Sequence, residues 1–137
     1  MTGIKQSKRI TAGASALAVW LGAAAVSAPA GAQTTAGDAA AGELVFRQCA
    51  ACHTVEPDRH RAGPSLYGVF GQQAGAVEGF RYSRAMREAD VVWDEETLTA
   101  YLADPNGFLP GTSMRIALRN AEDAPDLIAY LRTLGAE

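Results

Sequence analysis

An all-α fold of about three to five short helices is what the sequence predicts, and three observations predict it. Apolar residues recur with helical spacing at both ends of the chain. No segment alternates with period two for long enough to make a sheet. The only two cysteines form a C-x-x-C-H box, Cys49-Ala50-Ala51-Cys52-His53. In chain order, Asp38 is placed to cap a helix that carries Leu44 and Val45 into Cys49. The stretch from Ala62 to Gly79 is dense in glycine and reads as loop. Asp94 caps a short helix through Leu102, and the Asp104-Pro105 pair ends it because a residue before proline is pushed out of helical backbone. Asp123 caps the last helix, with Pro125 in the first turn, where a missing N–H does no harm. Leu127, Ile128, Tyr130, Leu131 and Leu134 give that helix its apolar face, and Gly135 closes it.

The box carries the chemistry. Two thiols at this spacing can add across the two vinyl groups of one haem to form thioethers, which holds the next residue, His53, under the iron as an imidazole ligand. A thioredoxin-like dithiol would need a βαβ pattern around the motif, and no Val/Ile-rich strands are present. A zinc site would need two further ligands at matching spacing, and the only other histidine, His60, has no second cysteine pair beside it. One covalently bound haem c is therefore the expected cofactor.

Residues 1–32 read as a cleavable signal peptide. Lys5, Lys8 and Arg9 form a basic start, Ala14 to Val26 is apolar, and Ala30-Gly31-Ala32 is a small-x-small cleavage site before Gln33. A cut after Ala28 is disfavoured by Pro29. The apolar run is shorter than the ~20 residues needed to span a bilayer, which favours cleavage over the alternative of an uncleaved anchor, and no stable membrane insertion is expected after cleavage. Export fits the box, because thioether attachment takes place on the outer side of a bacterial cytoplasmic membrane, and the expected location is the periplasm. Residues 33–137 form one domain with nine arginines, no lysine and fifteen acids, so 9 minus 15 leaves a net charge of −6. That balance disfavours nucleic acid or an anionic lipid surface as a partner. So short a chain has a modest core of its own, which a buried porphyrin would extend.

Several motifs in order resemble the class I cytochrome c family, close to its mitochondrial and bacterial c2-like members. They are Gly42 and Phe46, the box, Gly63-Pro64-Ser65-Leu66-Tyr67-Gly68, Trp93 before Glu95-Glu96-Thr97-Leu98, Tyr101-Leu102, Asp104-Pro105, Leu109-Pro110-Gly111-Thr112-Ser113-Met114, and Leu127-Ile128-Ala129-Tyr130-Leu131. The resemblance spans about Gly37 to Leu134. It implies the class I cytochrome c fold, with short helices wrapped around the haem and the N- and C-terminal helices crossing. It implies Met114 as the second axial ligand, a soft thioether that favours reduced iron and raises the potential. Met86 is the rival sulfur in residues 33–137, at a position where the family often has an asparagine on the distal haem side.

The same carry-over gives the supporting residues. The Pro64 carbonyl should accept the free ring N–H of His53. Tyr82, Trp93 and Thr112 should hydrogen-bond or shield the haem propionates, and Tyr101 should lie near the Met114 sulfur. His60 should tie two loops together, and Phe46 and Tyr130 should pack the terminal helices across each other with Gly42 allowing close approach. Gln72 stands where the family often places an arginine beside a propionate. A missing unit charge about 8 Å from iron, at an effective dielectric of ~20, is worth roughly 2 kcal/mol, on the order of 90 mV for one electron. That lowers the expected potential, with Arg81 or Arg84 able to return part of it.

The implied function is a monomeric, soluble periplasmic carrier of single electrons between redox protein partners, a membrane cytochrome complex, an oxidase or a dehydrogenase, with no catalytic residues. The competing class is a haem enzyme or gas-binding module, peroxidase-like, with a labile sixth position, and no distal histidine stands on the Met114 side to serve it. Family members that dock on acidic partners use a ring of lysines around the haem edge. Its absence here points to a partner with a neutral or basic face.

Overall fold

The chain divides into units 1–31 and 32–137, and the computed structural model describes residues 36–135. The expected signal segment lies outside the described residues. Five helices are found among those residues, with one isolated bridge between Gln73 and Val92 and no strand. No helix of the described residues is long and apolar enough to cross a membrane.

Helix α1, Ala39–Phe46, begins where Asp38 accepts hydrogen bonds from the Ala40 and Ala41 N–H groups. It was expected to run into Cys49 and instead ends three residues earlier. Bonds from Arg47 to Leu44 O and Gln48 to Val45 O tighten it into turns that continue through the box. Helix α3, Glu95–Ala103, has the expected cap, with Asp94 accepting from Thr97 N–H while the Thr97 hydroxyl receives the Asp94 N–H. Two helices were not expected. Helix α2, Arg84–Glu88, is capped by Ser83, and α4, Pro105–Phe108, starts directly after α3 because Asp104 accepts from Gly107 N–H with Pro105 at its first position. Each is shorter than the run over which a 3.6-residue period can be seen.

Helix α5, Ala124–Thr133, corrects one expectation. Asp123 sits at its start but makes no capping hydrogen bond, because a 3-10 turn over Ala121–Asp123 already holds it in helical backbone. A capping side chain needs extended backbone to fold back on the following N–H groups. The Asp123 carboxylate is engaged by the Asn120 amide instead.

Helices α1 and α5 pack directly on each other. Gly42 makes this possible, since a Cβ there would collide with the Asp126 carbonyl and come within 2.8 Å of the Tyr130 Cβ. The Phe46 and Tyr130 rings meet beside it at 5.7 Å, and Asp126 accepts the Asp38 N–H across the same junction at 2.8 Å. Leu127, Ile128 and Leu131 turn inward from α5 to meet Leu98, Tyr101 and Leu102 of α3. This core stops short of the space between the box and the chain segment 109–118.

Candidate haem site

The box is built as a continuation of α1. Cys49 N–H bonds to Phe46 O, Cys52 N–H to Cys49 O, and His53 N–H to Cys49 O, so one tight turn presents both thiols and the imidazole to the interior. The chain then loops out and returns at Gly63, whose N–H bonds to Cys52 O at 2.8 Å. Only glycine fits there, because a Cβ would strike the His53 ring, 2.7 Å from Nδ1 and 2.9 Å from Nε2. The next carbonyl, Pro64 O, lies 2.8 Å from His53 Nδ1. A carbonyl can only accept, so Nδ1 carries the proton and the Nε2 lone pair is left free. Burial holds the His53 pKa below the ordinary histidine value, only partly offset by the Pro64 bond, which keeps the ring neutral and able to donate to a metal. Burial, and then the neighbouring Cys52, push the Cys49 thiol up.

His60 ties loops, as expected. Its Nε2 donates to Glu78 O at 2.9 Å, and its Nδ1 accepts from Ser65 N–H at 3.1 Å. Both nitrogens are occupied, and the ring is absent from the cavity lining.

The facing wall hangs from a single turn. Leu109 O accepts from Thr112 N–H at 3.0 Å around Pro110-Gly111, and Gly111 has φ 91, so proline and glycine occupy the two positions a type II turn requires. Thr112 is almost fully buried. Its hydroxyl shares a 2.7 Å hydrogen bond with Tyr101 Oη and receives the Met114 N–H at 3.4 Å. Tyr101, an interior residue of α3, thus holds the segment that carries Met114. Burial raises the Tyr101 pKa and the Thr112 bond partly offsets it, so the phenol stays protonated.

Between the walls lies a cavity of about 410 Å³. It is lined by Cys49, Cys52, His53, Pro64, Tyr82, Met86, Thr112 and Met114, with Phe80, Leu102, Ile116 and Leu118 among its apolar surface. A smaller space of about 100 Å³ shares Cys49, His53, Pro64, Tyr82 and Met114 with it and brings in Trp93 and Tyr101, whose rings stand 4.9 Å apart. All the residues expected at the site thus meet around these two connected linings. Gln72 does not. Its side chain is exposed, with Nε2 3.5 Å from the point where a Gly68 Cβ would sit. Arg81, offered by the sequence with Arg84 as a replacement charge, lines the larger cavity together with Arg115, which no motif marks, and among the described residues no carboxylate does.

Among the described residues, no group of three or more His, Cys, Asp or Glu side chains could hold a bare metal ion. A largely apolar space of about 410 Å³ lined by two thiols, a neutral imidazole and a thioether fits iron carried in a porphyrin instead.

More arginines flank the thiol rim. Arg61 donates to Ala50 O between the two cysteines at 2.6 Å. Arg119 N–H bonds to Gln48 Oε1 at 3.3 Å, which sets Arg119 beside the Arg47-Gln48 pair. The arginines that form ion pairs, Arg59 with Glu56, Arg84 with Glu88 and Arg132 with Glu95, lie elsewhere in the chain.

The family model for cytochrome c matches residues 39–135. Cytochrome c2 of Blastochloris viridis is 42% identical over 116 residues, covering 83% of this chain and 88% of the relative. Cytochrome c2 iso-2 of Magnetospirillum fulvum is 48% identical over 90 residues, covering 65% and 94%. Among solved structures, cytochrome c2 from Rhodospirillum centenum superposes with a TM-score of 0.68 at 38% identity, covering 73% of this chain and all of that one. Cytochrome cH from Methylobacterium extorquens gives 0.66 at 40%, covering 71% and 99%. The chain belongs to the cytochrome c family, with the class I all-α fold, and is an electron-transfer protein, not an enzyme, that binds one haem c covalently at its C-x-x-C-H box.

Proposed function

We propose that this cytochrome is an exported, diffusible one-electron carrier in which His53 Nε2 and the Met114 sulfur are the axial ligands of the haem iron and Cys49 and Cys52 the thioether anchors. Residues 33–137 are proposed as the mature domain, working as a monomer in the periplasm between a membrane cytochrome complex, an oxidase or a dehydrogenase. The haem supplies the one-electron couple. The chain's own residues supply rigidity. Pro64 fixes the His53 ring and strengthens its donation, while the Tyr101–Thr112 pair and the Pro110-Gly111 turn hold the segment of Met114. A carrier needs ligands that stay in place in both oxidation states, and these supports are built into the backbone. Tyr82 and Trp93 are proposed to shield the propionates.

The observation that carries this reading is the fixed imidazole. Its one proton is committed to Pro64 at 2.8 Å, and its free nitrogen lines the cavity that the only partly buried thioether of the 109–118 segment also lines. The test is the weak red-edge band of sulfur-bound ferric haem, read in the purified protein and in Met114→Ala. Wild type should show the band and resist carbon monoxide when reduced. Met114→Ala should lose the band and bind carbon monoxide readily. A wild type that lacks the band and takes up carbon monoxide would remove the closed-site reading.

Residues 33–137 carry a net charge of −6, yet on the cysteine side Arg61 donates to Ala50 O and Arg115 lines the cavity. A partner that presents carboxylates to these arginines is proposed, and its electron-transfer rate should fall as ionic strength rises; a rate indifferent to salt would favour the neutral or basic face that the missing lysine ring implies.

A further inference from the structure

We infer that Arg81, not position 72, is the fixed cation that faces the haem carboxylates in this chain. The inference rests on the proposed seating of the haem. In a haem, the two vinyl groups sit on adjacent pyrroles and the two propionates on the remaining pair. Thioethers at Cys49 and Cys52 therefore send the carboxylates to the far side of the cavity. The two arginines of the lining are separated by the same logic. Arg115 belongs to the segment that returns to Gln48 through Arg119, on the cysteine side. Arg81 precedes Tyr82, which also reaches the inner space shared with Trp93 and Tyr101.

Three successive residues present donors there. The Ser83 hydroxyl accepts from Met86 N–H to cap α2, which leaves its own proton for the cavity. The Tyr82 ring is held edge-on to Phe80 at 4.9 Å, and Phe80 in turn packs on His60 at 5.6 Å, so the segment is anchored. Its phenol stays protonated, since burial raises the Tyr82 pKa. Arg81 adds the charge. It forms no ion pair among the described residues, whereas Arg84 is held by Glu88 at 3.6 Å and Arg87 donates to Tyr82 O. A guanidinium facing a carboxylate through a partly exposed rim is worth less than a buried pair, yet more than a solvated surface charge.

A cation near the haem favours the reduced state, which carries one positive charge fewer. In the holoprotein, Arg81→Gln should therefore shift the reduction equilibrium toward ferric by roughly threefold to tenfold, up to ~59 mV. Arg81→Lys should restore most of the shift, and Arg84→Gln, which removes the same formal charge three residues away, should give clearly less. Redox titration of the three variants, with the ferric spectrum recorded to confirm unchanged axial ligation, decides it. Equal shifts for Arg81→Gln and Arg84→Gln would overturn the assignment, because only bulk charge would then be acting. A larger shift for Arg115→Gln than for Arg81→Gln would overturn the haem seating itself.

Discussion

The two ends of this molecule solve different problems. Where α1 meets α5, the chain fills its own space, with Gly42 against the Asp126 backbone and Phe46 against Tyr130. Where the box faces the 109–118 segment, every polar support is in place, yet about 410 Å³ is left for a group the chain does not encode. One junction is complete as sequence. The other is a mould, its walls set by hydrogen bonds to the Pro64 carbonyl and the Thr112 hydroxyl that position His53 and the Met114 segment.

The contrast is sharpest when the haem is withheld. Without the haem the apolar lining would face water, and each large apolar side chain left uncovered forfeits about 1.5–3 kcal/mol, so several of them together rival the whole stability of a small domain. A Cys49→Ala, Cys52→Ala chain expressed without haem should thus lose most of its helical circular dichroism at ambient temperature. A haem-free chain that kept a cooperative thermal transition would show that the mould closes on itself, and the comparison would break.

The packed junction has its own test. Gly42→Val would place a branched side chain where even one methyl overlaps the Asp126 carbonyl, so the helices must separate. Overpacking of this kind costs typically 1–3 kcal/mol, and a backbone contact puts it near the top, about 3 kcal/mol. Denaturant titration of the holoprotein should show the loss while the ligand spectrum stays native. A spectrum that changed in step with stability would mean the two ends are mechanically one.

How far each end could be read from sequence follows the same division. The two terminal helices were legible because caps and apolar period act over a few residues, while their crossing at Gly42, Phe46 and Tyr130 is implied by the resemblance to the family. The two shortest helices were not, since α2 and α4 depend on single caps, Ser83 and Asp104, that look like ordinary loop residues. The Asp123 cap was misread because a preceding 3-10 turn takes over its backbone. At the site, the box is written in a motif and Met114 is implied by the resemblance to the family. The arginine surroundings are not, because Arg119 reaches Gln48 from 71 residues away and Arg61 reaches Ala50 across a loop. Gln72 reads as a lost charge in the motif, and of the two arginines the sequence offers in its place, Arg81 lines the cavity while Arg84 pairs with Glu88.

The smallest expected effect lies inside the mould wall and separates support from packing. Tyr101 and Thr112 share a buried hydrogen bond, and Thr112 also receives the Met114 N–H. Thr112→Val keeps shape but leaves both the Tyr101 hydroxyl and the Met114 N–H unpaired on that side, at roughly 1–3 kcal/mol. Tyr101→Phe removes one partner and leaves a threonine that still serves the backbone, so it should cost less, about 1 kcal/mol. The order is the informative part. If Thr112 acts by holding the Met114 segment, Thr112→Val should also speed carbon monoxide binding to the reduced protein more than Tyr101→Phe does. If the pair only fills space, the two variants should bind at equal rates, since both keep the volume of the wall.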